Sequence, residues 1–226
     1  MLSSAGLVGV IPMRVLLIAL AALTVSACNQ VYSRTPLLGE APAQPGDPEL
    51  RAGLWQVGAL KDERCPFDIR QPTNRWPDCA VALEYKGGQF WEITPHERRL
   101  ALVVKLVGGD PVLMQEHWRA EILADPRAPE PADSDNPFSG WTYASLTVVR
   151  TDGLGRIMEA QMLNPVCGPT ASGKPVAEQP FPGLTMVKSN CVAADLDAVR
   201  GALARTKALP PPEGAPTLLR WVRDYP

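Results

Sequence analysis

The sequence predicts a mainly β domain of the α+β type. It expects an antiparallel, sandwich-like sheet, one helix near the C terminus and long proline-rich loops. Three observations carry that expectation. Residues 80–94 and 141–163 each read as two strand-like runs joined by a glycine-bearing turn. Prolines crowd two other stretches, CPFDIRQPTNRWPDC over 65–79 and the five prolines of 164–183, and break any longer period. After Cys191, Leu196, Val199 and Leu203 fall on one face at helical spacing.

The chain opens with a segment that is not part of that domain. Arg14 is the only charge before Arg34, and an apolar run, VLLIALAALTV over 15–25, follows it directly. Ser26 and Ala27 then precede Cys28. A positive end, a short apolar core and small residues form an export signal, and the run is shorter than the ~20 apolar residues a membrane span needs. Met13 beside Arg14 reads as a natural start, which would make residues 1–12 an extension. Val25-Ser26-Ala27-Cys28 resembles the lipobox of bacterial lipoproteins. That resemblance implies cleavage after residue 27, a diacylglyceryl group on the Cys28 sulfur and acylation of the new amino terminus. An ordinary cleaved signal with a coincidental cysteine is the alternative. In enteric lipoproteins an aspartate after the cysteine favours the inner membrane. Asn29 stands there instead, so the expected place is the outer membrane, facing the periplasm. Pro36, Pro42, Pro45 and Pro48 mark residues 28–50 as an extended tether, with a single domain over 51–226.

Within the domain, GLWQVG (53–58) reads as a short strand, and AVALEYKGGQFWEIT (80–94) as a hairpin turning at Gly87-Gly88. Thr94-Pro95-His96-Glu97 has the form of a capping box. The β-branched residues that follow favour one helical turn and then a strand over about 99–107, with a full helix as the rival. VLMQEHW (112–118) is the returning strand and 125–140 a surface loop. WTYASLTVVR and RIMEAQML flank the turn TDGLG as a second hairpin. LTMVK (184–188) is a short strand, the helix starts at the cap Asp195 and stops before Pro210, and TLLRWVRDY (217–225) is the last strand.

Net charge is −2 for the whole chain and −3 without residues 1–27, so neither a nucleic-acid footprint nor an acidic tail is present. The 199 residues from Cys28 onward bury roughly 70% of their unfolded surface if folded as one domain. Export implies an oxidising compartment. The favoured pairs are Cys65–Cys79 and Cys167–Cys191, because each brackets a proline-rich loop. No C-x-x-C motif supports the rival zinc site.

Catalytic motifs are missing: there is no G-x-S-x-G, P-loop or G-x-G-x-x-G. His96 and His117 each adjoin a glutamate, Glu97 and Glu116, and a hydrolase would need one histidine to meet a carboxylate in a cleft. Asp133-Ser134-Asp135-Asn136 starts like a calcium loop but meets Pro137 at the fifth position and Ala144 at the twelfth. Six tryptophans stand out, and Trp76, Trp91 and Trp118 are the candidate ligand-binding residues, Trp76 being expected in the open because its loop is stapled. The expected function is a lipid-anchored envelope lipoprotein that binds or scaffolds another envelope component without catalysis. It uses no cofactor and no nucleic acid, and its partners are the membrane and an envelope protein or glycan. A tryptophan-based small-ligand or glycan module is the rival.

Overall fold

A computed structural model describes residues 29–39, 43–58, 65–118, 140–170 and 176–225. The leader, Cys28, residues 133–136 and most of the expected loop over 125–140 lie outside the described residues. The strands are β1 (Val31–Ser33), β2 (Gly53–Val57), β3 (Ala82–Lys86), β4 (Gln89–Ile93), β5 (Arg98–Val107), β6 (Val112–Trp118), β7 (Trp141–Thr151), β8 (Ile157–Leu163), β9 (Leu184–Val187), β10 (Asn190–Ala193) and β11 (Thr217–Arg223). One helix, α1 (Leu196–Lys207), lies between β10 and β11.

The mainly β, antiparallel domain with its C-terminal helix is as expected. The sheet goes further than a sandwich and closes on itself. β2 to β8 run as a meander, β6 pairs with both β5 and β7, and β11 slots antiparallel between β8 and β2. Eight strands thus form a ring without a free edge, which removes the unpaired backbone groups that invite aggregation. Outside this barrel, β1 pairs with the start of β7 and, in parallel, with β10, and β9 pairs with β10. This three-stranded flap and α1 are the chain's excursion between β8 and β11, together with its N-terminal strand.

Local chemistry explains the hairpins. Gly87 and Gly88 have φ of 57° and 76°, the left-handed values a two-residue turn needs, and join β3 to β4. Gly53 sits where β11 is irregular: a Cβ there would meet the Arg223 carbonyl oxygen at 2.3 Å, so only glycine allows β11 to close on β2. Before β5 the capping-box sequence makes a turn rather than a helical one. The Thr94 hydroxyl accepts from the His96 and Glu97 amides at 3.2 and 3.0 Å, and the strand starts at Arg98. α1 begins where expected, with Asp195 accepting from the Ala198 amide at 2.8 Å. Asp197 occupies its first turn, and Arg205 and Lys207 its last, matching the helix dipole.

The apolar residues sort into three clusters. The barrel interior holds Trp55, Tyr85, Phe90, Leu102, Val104, Met114, Leu146 and Met162, with Leu50 also in that cluster. Side chains therefore fill the ring, as an eight-stranded barrel allows. Between flap, helix and barrel lie Leu113, Tyr143, Leu184, Val199 and Leu203. The third cluster, Leu54, Trp76, Ala80, Ala82 and Ile93, puts the stapled loop against the outside of β2, β3 and β4. Both favoured disulfides are present, with Cα–Cα distances of 5.9 Å for Cys65–Cys79 and 5.5 Å for Cys167–Cys191.

Two expectations are overturned. The first part of the expected tether over 28–50 is packed into the fold: Asn29, Val31, Tyr32, Ser33 and, at its far end, Leu50 are buried, whereas residues 43–46 are exposed. The Leu37 amide donates to the Tyr143 hydroxyl and the Leu38 amide to Gln115 Oε1. The prolines break helices and strands there, yet the leucines and amides between them still find partners. Trp76 is also not in the open, being 6% exposed, because its loop folds back over the barrel wall.

Candidate functional site

The strongest constellation surrounds the point where the N-terminal segment enters the fold. Asn29 has φ of 77°, a left-handed value that asparagine tolerates better than most residues. Its amide donates to the Ser189 carbonyl. Its side chain is used at both ends: Oδ1 accepts from the Cys167 amide at 3.0 Å and Nδ2 donates to the Gly168 carbonyl at 3.1 Å. The Gln30 amide donates to Asn190 Oδ1 at 3.0 Å, and its carbonyl accepts from the Cys191 amide at 2.8 Å. Asn29 and Gln30 thus bind the backbone on both sides of the Cys167–Cys191 disulfide, and Val31–Ser33 continue as the strand between β7 and β10. From sequence alone Asn29 bears only on membrane sorting. Its adjacency to a disulfide 138 residues away is set by tertiary folding and leaves no local signal.

Beside this clamp lies a cavity of about 30 Å³ lined by Gln30, Val31, Glu116, Thr142, Tyr143, Asn164 and Pro165. Glu116 has the same strand parity as Val112 and Met114, two residues of the barrel core. Its Oε2 accepts from the Thr142 hydroxyl at 3.2 Å. Burial pushes its pKa up to about 7, and the Thr142 hydrogen bond only partly opposes this. Gln30 Oε1 is buried without a hydrogen-bond partner. A space of this size holds one water, which could bridge such groups. Glu92 and Arg99 also pair between neighbouring strands, at 2.7 Å.

Among the described side chains the tryptophans do not form a shared face. Trp76 packs on Phe67 with ring centroids 5.1 Å apart, and its indole N–H donates to the Gln71 carbonyl at 2.9 Å. Trp91 is half-buried, with the Arg98 guanidinium 4.0 Å from its ring centroid. Trp118 ends β6 with its backbone opposite Leu102. Trp221 carries Arg51 at 3.9 Å, and Trp141 stacks on His117 at 4.2 Å. The Trp76, Trp91, Trp141 and Trp221 rings lie against barrel walls, covered by cations, by histidine or by the stapled loop.

The histidines are equally separate. His96 Nε2 lies 3.1 Å from Asp78 Oδ1, but the two side chains are 70% and 91% exposed, so this pair lies on open surface and not in a cleft. His117 pairs in the ladder with Trp141 at the end of β6 and β7. Among the described residues no three His, Cys, Asp or Glu side chains are grouped to hold a metal ion. A groove of about 670 Å³ runs between residues 43–49 and the β3–β4 turn and β5, with Lys105, Gln115 and Trp141 on its walls. At the far end of β7, residues 147–151 are exposed, and the ribbon they form with β8 shows Val148, Val149 and, at its tip, Leu154, the last 79% exposed.

No known protein family, curated protein or solved structure matches the chain.

Proposed function

We propose that this chain is an exported lipoprotein, held by lipid at Cys28 to the bacterial envelope, whose barrel binds or scaffolds another envelope component without catalysis. One observation supports the anchor most directly. Cys65, Cys79, Cys167 and Cys191 pair completely among themselves, leaving Cys28, the cysteine of the lipobox-like motif, as the odd one. Two disulfides also suit an oxidising compartment. Two or three acyl chains at ~0.8 kcal/mol per buried methylene give lasting attachment where one chain does not. The outer membrane, facing the periplasm, is the proposed address.

The binding role draws on the β7–β8 ribbon, which carries the exposed large apolar residues found among the described residues. Val148 and Val149, consecutive in β7, and Leu154 at the tip offer apolar side chains that a partner gripping the ribbon would cover. A protein partner therefore fits better than a glycan, because Trp76, Trp91, Trp141 and Trp221 are each covered by a neighbouring side chain or loop. Metabolic labelling with an alkyne fatty acid tests the anchor. Label is expected on the wild-type protein and lost in Cys28→Ser, whereas equal labelling of both contradicts the assignment.

A further inference from the structure

The lipid reading has a geometric consequence for the body of the protein. We infer that the bilayer headgroup layer is a direct docking partner of this domain, which sits on it without a spacer, by the face around Asn29, Ser189 and Gly168. This inference rests on lipid attachment at Cys28.

Asn29 is 2% exposed and is held by its own amide, its side-chain oxygen and its side-chain nitrogen. Its partners Cys167 and Gly168 are at or beside a disulfide, and Ser189 is two residues before the other cysteine. The following residues are no looser, because Val31–Ser33 lie between two other strands. A flexible spacer of n residues separates its ends by about 5–6 Å × √n. Here n is zero, since consecutive Cα atoms are only about 3.8 Å apart. Acyl chains on residue 28 must therefore enter the membrane within one residue of the folded surface. That confines the body to a narrow range of tilts, with the edge formed by the β9–β10 turn and residues 167–170 against the headgroups.

The barrel order sets what faces away. β3 is four strands round the eight-stranded ring from β7, the strand that carries the flap. The stapled loop over β2, β3 and β4 is therefore on the opposite wall. Lys188, in the β9–β10 turn, and Asn74, in the stapled loop, are both exposed and report on the two sides.

The test uses the full-length acylated protein in phosphatidylethanolamine–phosphatidylglycerol vesicles doped with a gadolinium-chelating lipid. A keto amino acid replaces Lys188 or Asn74 and is coupled to a nitroxide, sparing the cysteines. Acylation at Cys28 is first read by mass. Docking predicts a several-fold larger relaxation enhancement at position 188 than at 74. Inserting about twelve Gly-Ser residues between Cys28 and Asn29 should bring the two values together. Equal enhancement at both positions in correctly acylated protein overturns the docking and leaves the anchor intact. An unmodified Cys28 overturns the anchor reading and the docking with it.

Discussion

Asn29 is a single residue whose backbone conformation and side-chain chemistry are both required. Alanine at a φ of 77° is strained, and it abandons the Cys167 amide–Oδ1 and Gly168 carbonyl–Nδ2 bonds in a buried site. We expect Asn29→Ala to lower unfolding free energy by about 2–3 kcal/mol in urea titration, and Asn29→Gly to differ by sparing the strain but not the bonds. Glu116 makes a pH-dependent case. Its folded pKa of about 7 lies above the ordinary 4.5, so the folded state holds the proton more tightly than the unfolded one. Stability is then greatest below the unfolded pKa and falls as pH rises towards 7, by at most ~3 kcal/mol. Glu116→Gln should flatten that slope in melts taken from pH 4.5 to 8, and an unchanged slope refutes the role. Neither residue was legible in the sequence. Asn29 sits beside a conspicuous cysteine, and Glu116 beside a conspicuous histidine, but what matters is the distant backbone each meets. Trp76 failed in the opposite sense: its loop does look like surface, and only the apolar wall of Leu54, Ala82 and Ile93 draws the ring inward.

Elements with local grammar were readable. The β3–β4 hairpin follows its alternation and its two glycines, and α1 follows its spacing and the Asp195 cap. Replacing Asp195 with Ala should cost about 1 kcal/mol, read by chemical denaturation, because one orphan helix amide loses its acceptor. β1 and β10 escaped for a shared reason. Each is three or four residues long, and each exists because the other lies alongside in parallel register, Val31 opposite Cys191. The stapled loop is an element in its own right, closed by a bridge spanning 14 residues. Replacing both Cys65 and Cys79 with Ser should destabilise the domain by about 3 kcal/mol and raise quenching of tryptophan fluorescence by acrylamide as Trp76 loses its cover.

At the scale of the molecule, ring closure was hidden because it depends on β11 reaching back to β2 across most of the chain. Alternation predicts that strands pair, and closure decides that the sheet has an inside. That inside is filled by side chains, which moves the search for function to the outer surface: the clamp, the flap and the β7–β8 ribbon. Two of those features are proposed to face different partners. The clamp fixes the body relative to whatever precedes Asn29, and the ribbon carries apolar side chains at a tip well along β7 from the pairing with β1. Placing Asp at Val149 and Leu154 should therefore leave folding and acylation intact while abolishing crosslinks from the ribbon to an envelope protein. Crosslinks that persist at full yield would move the binding surface elsewhere.

Mass spectrometry of the N-terminal peptide of protein extracted from its native membrane tests the central claim most directly. The account predicts a chain beginning at Cys28, its sulfur carrying a diacylglyceryl group and its amine acylated. A chain beginning at any other residue, or a free thiol at Cys28, contradicts it.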